Sequence, residues 1–198
     1  DEATKMYEPT ERDVDQDVQK SMKMFERARI GEVPPIEPRQ PQKLLLVLDG
    51  SPQDEMSVRL TAALQGRFGC TVDVLDARQS VQTNELAEAQ GKALRATVHA
   101  KASGDSYDQI LEAVERSGCD LVIVPSPFQR DLESVGADST GTVVDVLLSR
   151  SPVPILVVRH TYPVAETPFA WVLMVLIGEN EAAPAAAAWA TGLAAAQG

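Results

Sequence analysis

The sequence predicts an α/β domain: a five-stranded parallel, Rossmann-like sheet with helices on both faces. Three observations carry that expectation. Short, nearly continuous apolar runs recur at Leu44–Leu48 (LLLVL), Thr71–Leu75, Leu121–Val124 (LVIV) and Val153–Val158, as in strands covered on both sides. Between the runs, apolar residues recur at helical spacing. Glycine, proline and small polar residues mark each change of period. Alternation of this kind over 43–159 implies right-handed crossovers onto one parallel sheet. The pattern leaves two strand orders open, 2-1-3-4-5 and 3-2-1-4-5.

Taken in order, residues 1–42 read as an arm. Val14, Val18, Met22 and Phe25 predict an amphipathic helix over 11–29 that stops at Gly31. The stretch GEVPPIEPRQPQ follows as an extended spacer. The first strand ends at Asp49-Gly50-Ser51-Pro52, a turn that also offers a cap to the next helix. That helix carries Met56, Leu60, Ala63 and Leu64 on one face and closes at Gly66 or Gly69. A short helix over 84–93 precedes a third, edge strand over 94–100. Tyr107, Ile110, Leu111 and Val114 line the following helix, which ends at Gly118. The connection from Pro125 to Thr140 is long, and long loops in compact domains are often functional. Ser139-Thr140-Gly141-Thr142 then opens a helix whose first N–H groups lack intrahelical partners, a common anion site. Ser151-Pro152 stops that helix before the last strand.

The 198 residues have a formal net charge of −11, which argues against nucleic acid or an anionic membrane as partner. No apolar run approaches the roughly 20 residues of a membrane span. The acidic, polar start predicts no secretory leader, so a cytoplasmic setting is expected. Cys70 and Cys119 stand alone before separate strands. With another strand between those two, they lie about 10 Å apart, too far for a disulfide, and both are expected reduced. His99 and His160 fall at opposite sheet edges and cannot form a catalytic or metal pair. There is no CxxC, HExxH or Walker pattern, and no Gly-x-Ser-x-Gly surrounds Ser51. The sequence therefore predicts no catalytic constellation, no metal site and no enzyme.

Three segments, LLLVLDGSPQDEMS, DQILEAVERSGCDLVIVPS and GTVVDVLLSRSPVPILVV, make residues 43–159 resemble the universal stress protein family. The resemblance implies the order 3-2-1-4-5. It also implies a nucleotide crevice built from an Asp after strand one, a Gly-x-x-Gly loop after strand four, and a Gly-Ser/Thr at the last helix. Asp49, Gly141 and Thr142 stand at the outer positions, with Ser51 and Ser126 beside them. The middle departs from the pattern: Pro125 and Phe128 stand where the glycines belong. Proline lacks an N–H, and a bulky side chain obstructs close approach of backbone to phosphate.

The expectation is therefore a non-catalytic module with a degenerate nucleotide loop and no cofactor, acting in stress response or signalling through dimerisation and protein contacts. The alternative is an ATP- or AMP-binding sensor using the same crevice. An adenine-nucleotide α-hydrolase is the weakest reading, because DGSPQD lacks the SGGxDS loop of the related enzymes. Dimerisation is expected through the 153–158 edge strand. The same residues also have plain structural readings: Asp49 as a turn residue, Ser51 as a cap, Ser126 as a loop support, and Thr142 with Asp145 as a capping box.

A second echo follows. Val172–Ile177, Gly178 and the alanine-rich stretch after it repeat the strand, turn and helix of residues 44–65, with Ile177 in place of Asp49. The expected organisation is an arm over 1–42, a universal-stress-like domain over 43–160, and the start of a partial second copy over 161–198, which either continues beyond the chain or is a remnant kept as an added strand and helix. On its own residues the segment reads as core, with Trp189 a packing residue.

Overall fold

Leu44 to Leu48 are all fully buried, and that burial follows from their place in the middle of a sheet. In the computed structural model, β1 (Lys43–Leu48) pairs in parallel with β2 (Thr71–Asp76) on one side and β4 (Leu121–Pro125) on the other. β3 (Thr97–Val98) and β5 (Ile155–Val158) complete the order β3-β2-β1-β4-β5. The order is 3-2-1-4-5, and the first strand lies away from both edges. The structure describes residue 19 and residues 36–79, 81–130, 139–159 and 182–195. All of the expected helix over 11–29 except residue 19, the strand over 172–177 and His160 lie outside these residues.

Five helices are described: α1 (Gln53–Phe68), α2 (Glu85–Leu94), α3 (Ser106–Ser117), α4 (Thr142–Arg150) and α5 (Ala182–Ala195). Alternate side chains of β1 divide between two apolar clusters, as strand geometry requires. Leu44, Leu46 and Leu48 join Leu60 and Leu64 of α1, Ala87 of α2 and Trp189 of α5. Leu45 and Val47 join Ile110 and Val114 of α3 with Val144 and Leu147 of α4. Lys43 and the residue before it are tied to β4, since Asp120 accepts the N–H groups of Gln42 and Lys43 at 2.8 and 3.1 Å.

Several boundaries differ from expectation, each for a local reason. The third strand is two residues long, because Leu94 ends α2 and Arg95 turns the chain at φ +52°. Gly66 lies inside α1, and Gly69 closes it. α1 opens after Pro52 with no side-chain cap, so the turn at 49–52 does not cap it. The spacer residues nearest the domain are bonded to it, through Thr71 N–H to Gln42 O and Arg39 N–H to Ala188 O. Cys70 and Cys119 are free and buried, and burial pushes both thiols up.

Candidate functional site

The strand order reverses between β1 and β4, and open α/β sheets hold ligands at the carboxyl ends of strands beside such a switch. Here a cavity of about 350 Å³ is lined by Asp49, Gly50, Ser51, Pro52, Arg78, Gln129 and Arg130. These residues come from the loops after β1, β2 and β4.

Asp49 is buried and fully engaged. One carboxylate oxygen accepts Ser51 N–H at 2.8 Å, and the other accepts Gln129 N–H at 2.5 Å. Two backbone donors therefore hold a carboxylate where the family resemblance implies a nucleotide contact. Behind it, Asp54 accepts the N–H groups of Asp49 and Gly50 at 3.1 and 2.8 Å. Burial, and then the neighbouring Asp49 carboxylate, push Asp54 up to about 7. Gly50 sits at φ +81°, and an added Cβ would lie 2.8 Å from Arg78 Cδ. Only glycine fits that turn beneath the arginine.

Arg78 closes the β2 side. Its Nε and Nη2 lie 2.9 and 2.6 Å from the carboxylate oxygens of Asp76, which is fully buried and also faces Lys101 Nζ at 3.7 Å. This contact keeps the guanidinium firmly charged and its pKa raised. Arg130 is exposed and has no ion-pair partner among the described residues.

The loop after β4 runs between Asp49 and the start of α4. The Ser126 hydroxyl donates to Thr140 O at 2.9 Å and is fully buried, so it is committed to holding the loop. Phe128 does not stand in the crevice: its side chain is buried in the cluster beneath α3 and α4. An added Cβ on Gly141 would meet Phe128 N at 3.7 Å and Pro127 Cα at 3.8 Å, so 127–128 pass beside the residue that precedes α4. The capping-box reading also changes. Gly141 precedes α4, Thr142 is its first residue, and Asp145 is bonded by the Thr140 hydroxyl. A carboxylate already occupies the first turn, where a phosphate would otherwise be favoured.

The five sequence-predicted site residues thus form two groups. Asp49 and Ser51 line the cavity. Ser126, Gly141 and Thr142 lie beyond the loop, outside the cavity lining. The Ser51 hydroxyl is buried with no hydrogen-bond partner among the described residues, and it does not cap α1. Sequence reasoning missed Asp54, Arg78, Gln129 and Arg130. Asp54 stood in plain view five residues after Asp49, but nothing in the pattern says that it turns back onto the strand end. His99 belongs elsewhere, with Nε2 at 2.7 Å from Asp73, which also binds Lys43 Nζ at 3.1 Å.

The described strands and helices define a doubly wound α/β domain with a crevice at the β1–β4 switch. No protein-family model matches the chain, and no curated protein does. Among solved structures it is similar to the hypothetical protein MJ0577, at 21% identity over 62% of this chain and 98% of that one, with a TM-score of 0.48. It is similar to the universal stress protein UspA from Lactobacillus plantarum, at 14% identity over 61% and 99%, with a TM-score of 0.46. A universal stress protein in complex with cAMP also aligns, at 18% identity over 61% and 98%, with a TM-score of 0.45. No helix among the described residues is long and apolar enough to cross a membrane.

Proposed function

We propose that the chain is a universal-stress-type module without catalytic activity, working in the cytoplasm through dimerisation and protein contacts, with a nucleotide crevice that no longer takes ATP. The observation that carries this reading is the bond from Gln129 N–H to Asp49. It spends a backbone donor of the β4 loop on the carboxylate that would otherwise meet the nucleotide. Pro125 and Phe128 reinforce the effect by putting non-glycine backbone in a loop that would have to wrap phosphate. Each missing donor to a charged phosphate weakens binding by roughly 1.5–3 kcal/mol. Two such losses, about 3–6 kcal/mol together, weaken a micromolar site to the range from about 0.2 mM to tens of mM.

The 182–195 helix is, on this reading, part of a second copy, and its Trp189 and Leu193 pack into the first domain's core. The alternative reading is an ATP or AMP sensor. It is favoured by one observation, Arg130, which has no ion pair among the described residues, beside a cavity of about 350 Å³. Calorimetry of the protein with ATP, ADP and AMP separates the two. No heat of binding tighter than about 1 mM is expected, whereas micromolar binding of any of them supports the sensor.

A further inference from the structure

Asp49 and Asp54 share one buried turn, with the Asp49 N–H donating to Asp54 Oδ1 at 3.1 Å, and both residues are more than nine-tenths buried. They are held unequally. Asp54 is fixed in the first turn of α1, with both oxygens on backbone N–H groups of the adjoining turn. Asp49 has one local support, Ser51 N–H, and one distant support, Gln129 N–H, eighty residues along the chain. Gln129 itself sits at φ +56°, a conformation that side-chain-bearing residues adopt at a cost. Its other anchor is a longer bond, from Nε2 to Ala77 O at 3.3 Å.

We propose that Asp49 and Asp54 form a proton-operated latch on Gln129: with Asp54 protonated Asp49 holds Gln129 beside the crevice, and loss of that proton to solvent releases it. Two ionised carboxylates on one buried turn repel strongly. The one that yields is the one whose second support is not local. Asp49 keeps Ser51 by rotating away from Asp54 and gives up Gln129, whose left-handed backbone then relaxes. Because Asp49 and Gln129 both line the cavity, release also opens it. Asp54, raised to about 7, exchanges its proton in the neutral range.

The charged groups around Asp54 do not replace the proton. Arg78 is engaged by Asp76, with Lys101 behind it. Arg59 on α1 is paired with Glu55. Glu85 of α2 adds negative charge near Arg78, and Arg130 lines the crevice.

The test is hydrogen exchange at the Gln129 amide, read site by site from about pH 5.5 to about 8.5 and corrected for the intrinsic rate. Wild-type protection should fall about tenfold or more as pH rises through neutrality, while the Val47 amide in mid-β1 stays protected and rules out global unfolding. In Asp54→Asn the Gln129 protection should not change with pH. In Asp49→Asn, which removes the like charge beside Asp54, any remaining fall should move to lower pH. Gln129 protection that is flat in the wild type overturns the latch. So does a fall that persists in Asp54→Asn, or one that Asp49→Asn leaves in place.

Discussion

Asp54 is the residue whose burial has the clearest consequence for stability. Its folded pKa, raised from 3.8 to about 7, means that the folded protein binds a proton more tightly than the unfolded chain. The stabilisation is fully present below about pH 4, declines between the two values and is gone above about pH 7. Urea denaturation between pH 4.5 and 8 should therefore show wild-type stability falling by at most about 1.4 kcal/mol per pH unit. The net charge of −11 pushes in the same direction through general repulsion. The difference between wild type and Asp54→Asn isolates the single group, and parallel curves for the two would contradict the assignment. Gly50→Ala offers a second residue-level check. Left-handed backbone costs alanine about 1–2 kcal/mol, and Arg78 cannot move aside while bound to Asp76. Unchanged stability in that variant would show that the turn is looser than described. At this scale the sequence was partly legible. Asp49 and Gly141 announced themselves by position after a strand and before a helix. Asp54 and Gln129 did not, because their roles depend on backbone groups four to eighty residues away that no local pattern encodes.

Among the elements, α5 is held by an unusual crossing. An added Cβ at Gly192 would lie 1.7 Å from Arg39 O and 2.5 Å from Arg39 C, so backbone meets backbone there. In an ordinary helix interior, glycine to alanine stabilises by roughly 0.5–1 kcal/mol. Here the sign reverses, because Arg39 N–H is bonded to Ala188 O and the crossing strand cannot retreat freely. Gly192→Ala should lift α5 and expose Trp189, which is 7% exposed in the native packing. The loss should be on the order of 3 kcal/mol, as for other large core side chains. In a Trp171→Phe background, Trp189 emission should shift to the red, and an unshifted spectrum would refute the crossing. The strands and helices of 43–159 were legible because burial on both faces writes itself as unbroken apolar runs, as in LLLVL and LVIV. The short β3 was not, because Leu94 to Ala100 carries enough apolar residues to pass for a full strand while Arg95 breaks it. The packing of α5 was legible only as a buried tryptophan, since neither Ala188 nor Gly192 signals a partner in the 36–40 segment.

For the whole molecule, strand order decides where ligands and partners go. Pattern alone left two orders open, and the family resemblance supplied the one observed. The outer strand β5 keeps Ile155, Leu156 and Val157 only half-buried. An apolar edge of this kind invites pairing with a second copy. Sedimentation should therefore find a dimer in the micromolar range that Ile155→Lys dissociates, and a wild-type monomer would remove this part of the proposal. The central claim is narrower: the crevice beside the β1–β4 switch is closed to nucleotide by the chain's own β4 loop. Titrating ATP into the isotopically labelled protein, and following the amides of Asp49, Ser51, Gln129 and Gly141, tests it most directly. The account predicts no saturable shift at these four positions below about 1 mM ATP. Saturation of the same amides at micromolar ATP would contradict it.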